Sequence, residues 1–137
     1  MGIDLEREKN RLLEIHENIR QAHLDLDADA MVSTFADPVI RVARGAISQI
    51  SREDARQNYK EYFQDSVYHE VDDLEPPIVR VSQDATMAWV IVRTKVRLTH
   101  KNESGGEAER AFIYAGIVTC EKRDGEWIRT ANVSTIE

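Results

Sequence analysis

Residues 86–99 alternate in a way that predicts a long β-strand with two different faces. Successive side chains of a strand point to opposite sides of the sheet. One side of this segment is mostly apolar, whereas the other side is apolar over residues 87–91 and cationic from Arg93 onward. The first side predicts a core face that helices cover. The apolar part of the second side needs a cover of its own, and we expect a second copy of the chain to supply it.

Three helices are predicted before this central strand. In residues 4–24 the apolar positions recur at steps of three, four and seven, which is the stripe of an amphipathic helix. Asp25 or Asp27 is placed to cap a second, short helix, which buries Phe35 and ends at the Asp-Pro dipeptide that follows. Ser51 has capping-box spacing for a third helix, which is rich in aromatic residues. The apolar stripe of this third helix consists of Ala55, Tyr59, Tyr62, Phe63 and Ser66.

The rest of the chain is predicted mainly as strands. Short strands precede the central one, and residues 110–122 and 127–136 form two further long strands after it. Between these two, the dipeptide Asp124-Gly125 is a strong signal for a two-residue hairpin. Gly116 lies where a long strand could bend or bulge. The three long strands together predict an antiparallel meander.

This order of elements resembles the nuclear transport factor 2-like superfamily, including its SnoaL-like and ketosteroid isomerase-like members. The resemblance extends over nearly the whole chain and is carried by residues 27–37, 51–63, 87–90 and 122–127. It implies an α+β, cystatin-like fold in which a strongly curved antiparallel sheet wraps around the three helices as a cone with a pocket. Known members include isomerases, dehydratases, cyclases, hydrolases and binding or assembly domains. The resemblance therefore implies a fold and leaves the function open.

The chain departs from the residues that carry chemistry in those relatives. Ketosteroid isomerases use a tyrosine of the first helix as an oxyanion donor, and Ile19 falls at that place here. The general-base aspartate falls on Ala43, and the histidine that SnoaL-type cyclases often present on the last strand is absent from residues 131–133. Steroid isomerase chemistry is thus not expected, and no catalytic residue is predicted.

Composition narrows the classes of function further. A chain of 137 residues with 42% hydrophobic residues predicts a single domain, residues 1–137. The net charge of -7 argues against nucleic acid and anionic membranes as partners. Cys120 is the only cysteine, so no disulfide can form within the chain. The charged first residues resemble no signal peptide, and no uncharged run approaches the roughly 18 residues of a membrane span. We therefore expect a cytoplasmic protein.

Six residues are predicted to bind a ligand: His23, Tyr59, Tyr62, Arg93, Tyr114 and Arg129. The histidine is the best candidate for a group whose pKa burial moves towards neutrality, with His16 a weaker one. The tyrosines would supply aromatic walls and phenol donors, and the arginines would bind a carboxylate through a bidentate fork. Each type also has an ordinary alternative, namely a surface histidine, core tyrosines and a solvated charged edge.

The resulting hypothesis is a homodimeric domain that binds a small apolar or aromatic ligand. It is either an isomerase, dehydratase or cyclase or, alternatively, a non-catalytic binding or assembly domain. Convergence of Tyr59, Tyr114 and Arg93 would favour a flat ligand with a carboxylate or a polarised oxygen. The polar cluster at residues 69–73 matches no metal-ligand spacing, so neither a metal nor another cofactor is predicted.

Overall fold

The computed structural model describes residues 2–137, which form three helices and one seven-stranded sheet. The helices are α1 (Leu5–Asp25), α2 (Ala28–Val32) and α3 (Arg52–Gln64). The strands are β1 (Phe35–Ala43), β2 (Ala46–Ile50), β3 (Ser66–Asp73), β4 (Ile78–Val81), β5 (Met87–Lys101), β6 (Glu107–Arg123) and β7 (Glu126–Ile136). The predicted α+β class, with helices against a curved, open sheet, is confirmed.

The strands follow the order β2-β1-β7-β6-β5-β3, and β4 also pairs with β5. Strands β5, β6 and β7 form the predicted antiparallel meander. Asp124 and Gly125 make the predicted turn with positive φ angles of 52° and 79°. Two details differ from the prediction. The sheet is mixed, because β1 pairs with β7 in parallel, and the irregularity between β6 and β7 falls between Thr119 and Cys120 instead of at Gly116.

Side-chain caps fix where the two later helices begin. The Asp27 carboxylate accepts a hydrogen bond from the Ala30 backbone N–H at 3.0 Å, and the Ser51 hydroxyl accepts one from the Asp54 N–H at 3.1 Å. Such caps satisfy backbone donors that have no partner within the helix. Both predicted caps are confirmed.

Two predicted helix residues lie in strands instead. Helix α2 ends at Val32, and Phe35 is the first residue of β1. The chain leaves the helix there because the Arg129 N–H of β7 donates to the Thr34 carbonyl at 2.7 Å and draws this segment to the sheet. Ser66 likewise begins β3 and does not end α3. In both places a pairing that is distant in sequence overrides the local helical pattern.

The helices cover one face of the sheet, which we call the inner face. Along β5, side chains 88, 90, 92, 94, 96 and 98 are buried, whereas the odd-numbered ones from 87 to 97 are exposed on the outer face. One core cluster joins α1 to the sheet through Leu12, Ile15, Val79, Ala88, Val90, Val92, Cys120 and Trp127. A second joins the three helices to β1 through Ala22, Met31, Val32, Phe35, Val39, Ala55 and Phe63.

Glu8 anchors the first half of α1 to the β6–β7 hairpin. Its carboxylate accepts hydrogen bonds from the Trp127 indole at 2.7 Å and from the Lys122 ammonium at 2.8 Å. The hydrogen bond from Lys122 holds the pKa of Glu8 below its usual value. This end of α1 is therefore fixed to the sheet. Farther along α1, the side of the helix that faces the sheet borders a cavity.

Candidate functional site

A cavity of about 410 Å³ lies between α1 and the inner face of the sheet. A volume of this size suits one small ligand. Its apolar wall consists of Leu12, Ile15, Ile19, Met31, Phe35, Val71, Val90, Val92, Val96, Phe112, Val118 and Ile136. The stripe of α1 and the even positions of β5 supply half of these residues, because both patterns turn their apolar side chains towards the same space.

Arg129 brings a buried positive charge to this cavity. Its side chain lies on β7 with only 9% of the residue exposed, and its guanidinium is 4.2 Å from the centre of the Phe35 ring. The Nε atom donates to the Thr34 hydroxyl at 2.7 Å, and Nη2 donates to the Met31 carbonyl. Burial lowers the pKa of Arg129 to about 10, so the group remains cationic at neutral pH.

The charge of Arg129 has no carboxylate partner among residues 2–137. Its Nη1 group donates to no residue of that range, and no fully buried polar side-chain atom there lacks a partner. Nη1 therefore keeps accessible surface. Arg20, the other arginine of the cavity wall, is held by the Glu17 carboxylate at 2.7 Å. A buried charge is costly unless it is paired, which makes Arg129 a candidate for binding an anion.

Tyr114 lies against the backbone of β7, and Gly116 provides the space for it. The Tyr114 hydroxyl donates to the Asn132 side-chain oxygen at 2.9 Å. A Cβ atom on Gly116 would lie 2.6 Å from that hydroxyl and 2.8 Å from the Val133 carbonyl oxygen. Burial raises the pKa of Tyr114, which keeps its phenol neutral. The glycine thus allows a close approach of the ring to the strand, which is a different role from the predicted bend.

His23 enters the cavity wall as a neutral side chain. Its Nδ1 lies 2.8 Å from the Ile19 carbonyl, which can only accept, so Nδ1 carries the proton and Nε2 carries a lone pair. Burial lowers the pKa of His23. The ring packs edge-on against Tyr68 at 5.3 Å and Phe63 at 6.3 Å. The histidine therefore offers the cavity a hydrogen-bond acceptor and carries no charge near neutral pH.

Comparison with known proteins gives structural matches only. No family model matches the sequence, and no curated protein matches it. A ketosteroid isomerase-like protein from Erwinia carotovora atroseptica superposes with a TM-score of 0.71 at 17% identity, over 94% of this chain and 95% of that one. A nuclear transport factor 2-like protein from Cytophaga hutchinsonii superposes with a TM-score of 0.68 at 16% identity, over 93% and 97%. A cystatin-like protein from Caulobacter vibrioides gives 0.71 at 12%, over 96% and 90%.

The chain has the nuclear transport factor 2-like fold. The resemblance deduced from the sequence is confirmed at this level. Identities of this size show the fold alone, so the site must be judged from the residues of this chain.

Within this nuclear transport factor 2-like cone, four of the six predicted residues line the cavity: His23, Tyr59, Tyr114 and Arg129. Arg93 does not. It lies on the outer face, its side chain is 46% exposed, and its nearest carboxylate is that of Glu75 at 3.7 Å. The predicted convergence of Arg93 with Tyr59 and Tyr114 is therefore wrong. The reason is strand alternation, because Thr94 and not Arg93 shares the inner face with the buried residues of β5.

Tyr62 also lies outside the cavity. Its ring stacks on His100 with 4.5 Å between ring centres, and its hydroxyl accepts a hydrogen bond from Arg110 at 3.1 Å. Three residues along a helix turn a side chain by about 60°, so Tyr59 and Tyr62 occupy different flanks of α3. Tyr59 lines the cavity, and the centre of its ring lies 5.8 Å from the centre of the Phe63 ring.

Several cavity residues escaped sequence reasoning. Tyr68 of β3 lines the cavity, and burial raises the pKa of its phenol. Asn132 is not among the six predicted ligand-binding residues, yet its side-chain oxygen accepts a hydrogen bond from the Tyr114 hydroxyl. The sequence favours His23 over His16, yet both line the cavity, seven positions apart on α1. The i, i+7 spacing on a helix was the signal that linked the two histidines.

Cys120 lies at the cavity wall as a free, buried thiol, and burial raises its pKa to about 11. Such a thiol is a poor nucleophile at neutral pH. Among residues 2–137 no group of three or more histidine, cysteine or acidic side chains is placed to hold a metal ion. In the same part of the chain, no helix combines the length and the apolar character that crossing a membrane requires.

Proposed function

We propose that the protein binds a small, mostly apolar or aromatic molecule that carries a carboxylate, with the apolar part in the cone and the acid on Arg129. The observation that carries this proposal is the buried Arg129 guanidinium, which borders the cavity without a carboxylate partner among residues 2–137. A ligand carboxylate would compensate the cost of burying that charge and would gain charge-assisted hydrogen bonds.

The neutral polar groups around Arg129 suit the rest of such a ligand. Tyr114 and Asn132 form a fixed hydrogen-bonded pair, and His23 presents a lone pair on Nε2. These groups could orient a hydroxyl or carbonyl while the aliphatic wall excludes water. The proposed activity is that of an isomerase, a dehydratase or a cyclase. The competing class is a non-catalytic binding domain that uses the same pocket.

The proposal also includes a homodimer and a cytoplasmic location. Met87, Trp89 and Ile91 form an exposed apolar patch on the outer face of β5, and such patches commonly mark interaction surfaces. A single free cysteine that is buried suits a reducing compartment.

The anion site is tested with a panel of aryl and aliphatic carboxylates, each paired with its amide. Thermal shift would select ligands, and isothermal titration calorimetry would measure affinity. We expect acids to bind more tightly than their amides. Replacing Arg129 by Met should weaken the acids by about 1.5 to 3 kcal/mol, the range for hydrogen bonds to charged groups, and leave the amides little changed.

Arg93→Met is the matched control, because it removes the same charge from the outer face. It should leave both ligand series unchanged. If Arg129→Met fails to fold by circular dichroism, Arg129→Lys keeps a charge and removes the fork, and it should show a smaller loss in the same direction. Equal affinities of acids and amides for the parent protein would refute the proposal.

A further inference from the structure

A second polar group borders the cavity on the β3 side of the sheet, and the proposed carboxylate site does not use it. His16 of α1 and Asp73 of β3 are 57 residues apart in sequence, yet His16 Nε2 lies 2.9 Å and 3.1 Å from the two carboxylate oxygens of Asp73. The Thr94 hydroxyl approaches the same carboxylate at 3.4 Å. An ionised carboxylate only accepts hydrogen bonds, so Nε2 carries a proton and the imidazole ring is held in one orientation.

The other ring nitrogen of His16 is free to contact a ligand. Nδ1 forms no hydrogen bond within residues 2–137, and no fully buried polar side-chain atom of that range lacks a partner, so Nδ1 keeps accessible surface. His16 lines the cavity, whereas Asp73 is not part of its wall. Nε2 therefore points away from the cavity, and the remaining ring edge with Nδ1 is the part that a ligand can reach.

The strand order places His16 and Arg129 at opposite sides of the cavity. His16 is tied to β3 through Asp73, Arg129 lies on β7, and strands β5 and β6 run between β3 and β7. Neighbouring strands are about 4.8 Å apart, so roughly 14 Å, measured along the sheet, separates the backbones of β3 and β7. Strand β5 contributes the apolar side chains of Val92 and Val96 to the wall. A ligand that contacts both polar groups must therefore be apolar in its middle and polar at both ends.

The charges around His16 determine which end of such a ligand it can bind. The Asp73 carboxylate lies directly behind the imidazole. Arg20, on the same side of the cavity, is already bonded to Glu17 at 2.7 Å and to Asp72 at 3.4 Å. Three carboxylates against one arginine leave this end with an excess of negative charge, which repels a second anion. A neutral hydroxyl suits it better, because a hydroxyl can donate to a bare Nδ1 or accept from a protonated one.

We propose that the cavity selects monocarboxylates with a hydroxyl group at the far end of an apolar or aromatic body, and that His16 binds this hydroxyl through Nδ1. Asp73 is the positioning residue, because it fixes the orientation of the imidazole. This inference rests on the proposed carboxylate site at Arg129 and narrows its ligand class. The competing interpretation is a purely structural contact that ties α1 to β3, and the experiment must separate the two.

Three matched acids probe the two ends of the cavity: 4-hydroxyphenylacetate, phenylacetate and 4-carboxyphenylacetate. They share the ring and the acetate group and differ only in the para substituent, which is a hydroxyl, a hydrogen or a second carboxylate. We expect titration calorimetry to rank them in that order, from the tightest to the weakest. The hydroxyl should improve affinity by about 2-fold to 10-fold, as a neutral hydrogen bond does. The matching benzoates and 3-phenylpropanoates vary the distance between the two ends, and the hydroxyl advantage should be largest at one length.

Two variants locate the hydroxyl. His16→Phe keeps a ring and removes both nitrogens, so the hydroxyl advantage should disappear while the affinity for phenylacetate changes little. Asp73→Asn should reduce the advantage, because an amide can also donate to the imidazole and no longer fixes its orientation. A structural contact would shift the melting temperature and leave the hydroxyl advantage at its parental size. If His16→Phe does not fold, His16→Gln keeps a donor for Asp73 without a ring nitrogen, and it should show a smaller advantage than the parent.

His69→Gln is the matched control, because this exposed histidine bonds to Thr99 at 2.7 Å and does not line the cavity. It should keep the full hydroxyl advantage. A parent protein that prefers acids to their amides but gains nothing from the hydroxyl at any of the three lengths would overturn this inference and leave the Arg129 site standing. An advantage that survives His16→Phe, or a diacid that binds most tightly, would do the same. If no acid binds more tightly than its amide, both proposals fail.

Discussion

The two faces of the sheet carry arginines in opposite circumstances. Arg129 on the inner face is 9% exposed and has no ion-pair partner among residues 2–137, whereas the Arg93 side chain on the outer face is 46% exposed and lies 3.7 Å from Glu75. Water and a nearby carboxylate compensate the charge of Arg93. Within residues 2–137, the Arg129 guanidinium contacts neutral oxygens and the Phe35 ring and forms no ion pair.

This difference shows that burial, and not residue type, decides whether water and a neighbouring carboxylate compensate the charge of an arginine. An exposed ion pair contributes at most about 1 kcal/mol, so the outer face can exchange such residues freely. A buried unpaired charge persists at a cost in stability, which is typical of sites that must bind an opposite charge.

The first prediction concerns the packing that supports the inner face. Phe63 of α3 is 4% exposed and belongs to the cluster that joins the helices to β1. Phe63→Ala should lower the free energy of unfolding by about 3 to 5 kcal/mol, as emptying a buried aromatic site usually does. Chemical denaturation would measure it. Ile47→Ala, at a site 79% exposed, is the control and should stay within about 0.5 kcal/mol of the parent. An equally small change for Phe63 would contradict the assignment.

The second prediction concerns the outer face. Trp89 is 37% exposed between Met87 and Ile91, and we expect it to lie at the centre of a dimer interface. Trp89→Arg should weaken dimerisation by about 2 kcal/mol or more, as buried interface aromatics do. Sedimentation velocity would follow the change, with Val67→Arg as a control outside the patch. A parent protein that sediments as a 15.7 kDa monomer at high micromolar concentration would refute the dimer.

The third prediction tests the close contact on the inner face at Gly116. Gly116→Ala should lower stability by about 1 to 2 kcal/mol, within the range for overpacking a close-packed site, because the new methyl meets the Tyr114 ring and the Val133 carbonyl. It should also weaken ligand binding by displacing Tyr114. Gly2→Ala, with nothing within 4 Å of the added Cβ, should do neither. An unchanged melting temperature of Gly116→Ala would show that the Tyr114 ring can move aside without a loss of stability.

The smallest effect concerns pH. Burial lowers the pKa of His23 below its usual value of 6.5, so the unfolded chain binds more protons than the folded one as the pH falls below 6.5. The stability from keeping His23 neutral is complete above that pH and is lost as the pH falls through the folded pKa. His23→Leu should therefore flatten the slope of unfolding free energy against pH over this range.

His69→Gln serves as the control, because it replaces an exposed histidine that does not line the cavity. The other histidines are the same in the parent and in His23→Leu, so the difference between the two curves isolates His23. A parallel pair of curves would mean that His23 has its ordinary pKa.

Local chemistry determined most of the elements before any tertiary contact was known. The caps at Asp27 and Ser51, the Asp124–Gly125 turn and the alternation of β5 act over a few residues, so the sequence alone predicts them. The same alternation also shows that Arg93 and Thr94 face opposite sides. It also predicts that helices cover the mostly apolar side, to which Thr94 belongs, so the predicted convergence of Arg93 with Tyr59 and Tyr114 conflicts with the alternation itself.

What only the tertiary structure decided are the contacts between segments distant in sequence. Thr34 meets Arg129 across 95 residues, and His16 meets Asp73 across 57. Helical and strand periodicity fix the face on which a side chain lies, and they contain no information about which other segment packs against that face. Local patterns therefore specified much of the cavity wall. The unpaired charge of Arg129 and the His16–Asp73 hydrogen bond arose only when the folded sheet and α1 enclosed them.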